Sequence, residues 1–205
     1  MKKILIAAVA TAAVVFGAQA YAAQGFYVGG QAGYSQAYLD KTLSQYEGVG
    51  VNITRSSRSG LAGRVYGGYN LNKFLGVELG VAKYAEYKYN VSTGGSLKGN
   101  AYAADLLGVG TLPLGGNFNL FAKGGMAYVE EKEKAHGTTG VTFGNGKTSD
   151  TDHFWRPELV LGASYDLSDS LSLNLSYSRI FGKEDTSKYL PSLGLWGLGV
   201  QYDFG

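Results

Sequence analysis

No cysteine occurs in the 205 residues, so neither a disulfide framework nor a thiolate metal site holds the chain together. Only three prolines accompany 32 glycines, and the glycines follow no three-residue period, which excludes a collagen-like chain. The apolar run from Ile4 to Ala18 falls short of the ~20 residues of a spanning helix. It follows Lys2 and Lys3 and precedes Ala20-Tyr21-Ala22, whose small residues stand where a signal peptidase reads. Residues 1–22 are therefore expected to be a cleaved export signal, with the mature chain starting at Ala23. Cleavage removes two of the 18 basic residues and leaves 16 against 16 acidic ones. That balance implies no nucleic-acid partner. Residues 23–205 are expected to form one domain.

What remains alternates. Eight runs with apolar residues at every second position are expected as strands over 26–38, 59–69, 75–87, 98–112, 118–130, 154–167, 171–181 and 193–204. Short connectors at 70–74, 113–117 and 168–170 alternate with long ones at 39–58, 88–97, 131–153 and 182–192, the pattern of periplasmic turns and outer loops. Counting by two gives a face almost free of charge, such as Phe26, Val28, Ala32 and Tyr34, then Leu75, Val77, Leu79 and Val81. Aromatics gather at both ends of that face. Phe26, Tyr69, Phe118, Tyr165, Tyr202 and Phe204 mark one level, and Tyr34, Tyr87, Tyr102, Tyr128, Trp155, Tyr177 and Trp196 the other. A soluble sandwich also alternates but does not call for two aromatic girdles, whereas a bilayer does. With no water to pair their backbone groups, such short segments must close on themselves. The expected fold is all-β, an eight-stranded antiparallel up-and-down transmembrane β-barrel. Glycines within the runs, among them Gly29, Gly33, Gly76, Gly80, Gly197 and Gly199, ease its curvature and interior crowding.

The opening Gly25-Phe26-Tyr27-Val28-Gly29-Gly30-Gln31-Ala32-Gly33-Tyr34 and the closing alternation of Trp196, Leu198, Val200, Tyr202 and Phe204 resemble the small outer-membrane barrels related to the OmpA transmembrane domain and the OmpX and Ail group. The resemblance covers the whole mature chain. It implies a place in the bacterial outer membrane, an assembly signal in those five closing residues that the barrel-assembly machinery reads, and outer loops that engage host or neighbouring molecules. It also allows a porin-like channel. One departure is Gly205, which follows Phe204 where the family ends on the aromatic. No peptidoglycan attachment is expected, and the chain is expected to act as a monomer.

The opposite face carries Arg64, Glu78, Asp105, Lys123, Arg156 and Glu158, three charges of each sign. At ~3.3 Å per residue, Glu78, Arg64, Lys123 and Asp105 fall at one height and can form a layer. An eight-stranded barrel is just wide enough to be filled by side chains, so these charges are expected to pair as a network. A small porin-like diffusion channel is the alternative, which a lumen dominated by one sign would have favoured. Lys83 and Arg179 interrupt the lipid face near its outer edge. They either meet phosphates of lipopolysaccharide or snorkel to water.

Chemistry is not signalled. Ser149, Asp150, Asp152 and His153 put a potential general base beside acids, but no second catalytic-looking residue lies two positions from His153 on its face, and the cluster is expected as a solvated loop end. His136 lacks the spacing of a zinc ligand set. Gly94-Gly95-Ser96-Leu97-Lys98-Gly99 lacks the full spacing of a phosphate loop. No catalytic, cofactor or metal site is expected. The long loops contain Val49, Val51 and Ile53 and also Val141 and Phe143 in alternation, which would extend hairpins above the membrane as pairing edges for a partner, or merely shield the barrel mouth.

Overall fold

Period-two alternation becomes strand throughout the computed structural model, which describes residues 24–38, 53–57, 59–91, 96–136, 149–182, 184–185, 188–189 and 192–204. The expected export signal, Val49, Val51, Val141 and Phe143 lie outside the described residues. The strands are β1 Gly25–Tyr38, β2 Ile53–Ser57, β3 Ser59–Asn70, β4 Leu75–Lys83, β5 Tyr87–Val91, β6 Ser96–Gly115, β7 Phe118–His136, β8 Ser149–Ser168, β9 Leu171–Ile180, β10 Glu184–Asp185, β11 Lys188–Tyr189 and β12 Ser192–Asp203. β1, β3, β4, β6, β7, β8, β9 and β12 pair antiparallel in that order, and β12 pairs back with β1. The wall is therefore a closed eight-stranded up-and-down barrel. Closure leaves no edge in the apolar zone, which is what makes strands tolerable in hydrocarbon.

The two faces separate cleanly. On β4, Leu75, Val77 and Leu79 are exposed while Glu78 and Ala82 are buried. Outward apolar side chains are exposed all round the wall, up to 68% at Trp155 and 88% at Leu61. A continuous apolar belt of this kind is an interaction surface, here for lipid.

Strand extends into the expected long loops, as β2, residues 88–91 of β5, residues 96–97 of β6, β10 and β11, and three further features differ from the sequence expectation. β7 runs on to His136 and β8 starts at Ser149, so 131–136 and 149–153, assigned to a loop, are paired strand, as in Glu131↔Asp152 and Lys134↔Ser149. Every residue from 130 to 134 is charged, and 149–153 is Ser-Asp-Thr-Asp-His, so these segments have no hydrophobic period to read. Ser149, Asp150, Asp152 and His153 thus belong to a strand and not to a loop end. The run 75–87 is broken after Lys83. From Lys83↔Tyr102 to Tyr87↔Gly99 the first strand advances one residue more than the second, a bulge that shifts the parity, so the backbone position of Tyr87 leaves the outward row. The freed groups are satisfied, with Tyr84 N–H donating to Ala101 O at 3.0 Å and Ala85 N–H to Ser35 Oγ at 2.8 Å. Finally, the wall is uneven. β8–β9 pairing begins only at Glu158↔Ile180, so among the described residues the upper part of β8 has a partner in β7 alone.

Candidate functional site

Inward parity on four successive strands brings Arg64 of β3, Glu78 of β4, Asp105 of β6 and Lys123 of β7 into the lumen. Arg64 presents its fork to Asp105, Nη2 to Oδ1 at 2.5 Å and Nε to Oδ2 at 3.0 Å, while Nη1 donates to Glu78 Oε1 at 2.8 Å. Lys123 Nζ donates to Glu78 Oε2 at 2.6 Å, and Tyr27 O–H reaches the same oxygen at 3.0 Å. The Tyr66 ring lies against both cations, 5.1 Å from Arg64 Cζ and 4.7 Å from Lys123 Nζ. A Cβ at position 80 would stand 2.7 Å from Arg64 Cζ, so glycine there makes room for the guanidinium. All four charged residues are buried, Glu78 to 1% exposure. Bidentate, charge-assisted bonds of this kind are the ones strong enough to offset desolvation.

Arg156 and Glu158 do not join this layer. Arg156 Nη2 donates to Glu131 Oε1 at 3.0 Å, higher in the lumen. Glu158 is buried, and neither carboxylate oxygen has a hydrogen-bond partner among the described residues. Glu131 was missed by the sequence reading, and with it the balance of three charges of each sign becomes three cations against four acids. Counting by two from Lys123 through Ala127 and Val129 would have reached it. Tyr27, one position out of phase with Phe26, was missed in the same way.

Above the ionic layer the lumen turns apolar. Ala37, Ala82, Tyr84, Ala101, Ala103, Ala127, Val129, Ile180, Leu193 and Leu195 form one buried cluster. Below the layer a cavity of about 620 Å³ reaches Tyr27, Tyr66 and Lys123, and its wall includes Asn70, Asn119, Asp166 and Asp203. None of its lining residues belongs to the apolar cluster. The interior is a polar cup on the short-turn side, a salt-bridged floor, and an apolar filling above.

Residues 6–204 match the sequence profile of the outer membrane protein beta-barrel domain. The chain belongs to that family. An uncharacterized protein of Coxiella burnetii is 32% identical over the full length of both chains. Outer membrane protein A of Serratia marcescens is 30% identical over the whole of this chain, which spans 57% of that relative. Among solved structures, Neisserial surface protein A superposes with a TM-score of 0.61 at 14% identity, covering 88% of this chain and 97% of that one, a likeness of fold. These relatives place the family barrel in the bacterial outer membrane.

Lys83 and Arg179 are both outward and exposed. They sit on β4 and β9, four strands apart whichever way the ring is followed, so they cannot form one patch. The closing residues Trp196, Leu198, Val200, Tyr202 and Phe204 all face outward and are exposed. His153 stacks on Tyr128 with ring centres 5.5 Å apart, and its Nδ1 is 3.8 Å from Glu130 Oε2, an outward cluster. Among the described residues no group of three or more His, Cys, Asp or Glu side chains has the arrangement of a metal site.

Proposed function

We propose that this family member is a sealed, non-enzymatic barrel that works through its outer surface. The observation that carries this reading is the stacking of two closures in one lumen, the Arg64–Glu78–Asp105–Lys123 layer and the apolar cluster around Ile180 and Leu195. An ion following the cup upward meets the salt-bridged layer and then a close apolar filling that also encloses the Arg156–Glu131 pair and Glu158. Surface interaction is supported by β6, β7 and β8, which at 20, 19 and 20 residues far exceed the ~9–11 residues of a membrane crossing. Among the described residues the part of β8 above Pro157 pairs with β7 alone, an edge suited to a host or neighbouring strand. Lys83 and Arg179 are the two outward cations among which the contact for lipopolysaccharide is sought, and Trp196, Leu198, Val200, Tyr202 and Phe204 are read by the assembly machinery.

The diffusion-channel reading draws on one observation, the polar cup. Single-channel recording in a planar bilayer separates the two. Protein whose folding is verified by heat-modifiable gel mobility should be silent. Steady discrete steps would overturn the sealed lumen.

A further inference from the structure

The two outward cations have different surroundings. Lys83 has Gly63 and Tyr102 as its cross-strand neighbours, and the acid Glu130 follows Tyr102 in the same row. Lys132, which lies 5.3 Å from the Tyr102 ring centre, is paired with Glu130. That wall has its own counter-charge.

Arg179 has none. Among the described residues it makes no ion pair, and its guanidinium instead lies between rings, 5.3 Å from Tyr38 and 5.7 Å from Phe181. Tyr38 comes from β1, two strands away. It reaches Arg179 across β12 because the residue between them is Gly194, where a Cβ would stand 2.8 Å from Tyr38 Cε2 and 3.1 Å from the Tyr177 hydroxyl oxygen. The Tyr38 and Tyr177 side chains thus approach the same point over Gly194. The same row continues to Gln36, which pairs with Gly194 and is exposed. Below it Trp196 packs on Tyr177 with ring centres 4.8 Å apart and is 57% exposed.

The height matters too. Arg179 is eight residues above Leu171 on β9, ~26 Å along the strand and ~20 Å vertically at a tilt of ~40°. That is near the outer edge of an apolar band about 25 Å tall. A guanidinium oriented by stacked rings keeps its N–H fork free for a planar or tetrahedral oxyanion, and Arg suits phosphate better than a point-charge lysine does. The rings beneath it offer an apolar and amphipathic wall for sugar and acyl chain.

We propose that the Arg179, Tyr38, Tyr177 and Gln36 cradle over Gly194 is a binding site for one phosphate of lipid A in the outer leaflet, and that Lys83 is a snorkelling residue without such a role. The proposal rests on the outward-contact part of the reading above and not on the sealed lumen. Discrete conductance with lipid A binding intact would overturn the lumen and leave this site standing.

The test is a thermal-shift titration of the folded full chain in neutral detergent micelles, with bisphosphorylated lipid A, dephosphorylated lipid A or inorganic phosphate as the probe. Bisphosphorylated lipid A should raise the unfolding temperature, and Arg179→Gln should need about tenfold more of it, as expected for losing a charged hydrogen bond. Lys83→Gln should titrate within about twofold of the parent. Arg179→Lys keeps the charge but not the fork and should weaken binding by about threefold or more. It also supplies the readout if Arg179→Gln does not fold. Parent-like titration of Arg179→Gln or, failing that, of Arg179→Lys would overturn the site. So would an equal loss in Lys83→Gln, or an equal shift with dephosphorylated lipid A. An equal shift with inorganic phosphate would overturn lipid A as the occupant.

Discussion

The lower and upper halves of the same lumen are closed by opposite chemistry. The lower half is held by Arg64, Glu78, Asp105 and Lys123, whose every partner is named and directional. The upper half is filled mainly by a cluster including Val129, Ile180, Leu193 and Leu195, which needs only volume, with the Arg156–Glu131 pair beside it. Buried ion pairs bring little net stability compared with apolar residues of the same shape, yet breaking one is costly because a charge is stranded. The lower layer therefore fixes register across β3, β4, β6 and β7, while the upper layer stabilises by burying apolar side chains. The glycine floor at Gly80 belongs to the first strategy and the alanines at 101, 103 and 127 to the second.

The sharpest way to break this contrast is Arg64→Ala. It strands Asp105 and deprives Glu78 of one of two cations, and we expect a loss of about 3–5 kcal/mol in urea unfolding from lipid vesicles. Lys123→Ala should cost less, because Arg64 and Tyr27 still donate to Glu78. In a double-mutant cycle Arg64→Ala and Asp105→Ala should couple by at least about 1 kcal/mol, since they share two bonds. Additive costs would mean that the layer is not a network. Glu158→Gln is expected to act in the opposite direction. It removes a buried ionisable carboxyl group whose oxygens have no partner among the described residues, and we expect a gain of about 1–2 kcal/mol at neutral pH. A loss of stability would mean that Glu158 shares in the ionic layer after all.

How much of this was legible depended on contrast between the two faces. Wherever an apolar outward residue alternated with a polar or small inward one, as along Leu75 to Lys83, strand, face and level were readable, and barrel closure followed. Contrast vanished in two ways. From 130 to 134 every residue is charged, so the sequence shows neither the strand nor the inward place of Glu131. At Leu193-Gly194-Leu195-Trp196 both faces are apolar, so nothing in the pattern separates the inward leucines from the outward tryptophan. The bulge after Lys83 has no composition of its own. The pairing of Arg156 with Glu131 and not Glu158 depends on the stagger between neighbouring strands, which no single strand encodes. The cradle around Arg179 required knowing that Tyr38 and Arg179 flank Gly194 on separate strands.

The smallest effect is the most discriminating for the upper layer. Ile180 is fully buried at 0% exposure and is the last residue of β9, where its register partners are Glu158 and Leu193. Ile180→Val deletes one methyl group without changing branching at Cβ, so backbone preference is untouched and only packing is measured. A rigid filling should leave the void open and cost about 1 kcal/mol, near the middle of the range for such changes. A loosely filled lumen would relax around the smaller side chain, and the cost would fall towards zero. The same deletion leaves the salt-bridged floor unaltered, so conductance should stay silent in either case. Equal and near-zero costs for Ile180→Val and Arg64→Ala would mean that neither layer holds the barrel and that the closed wall alone does.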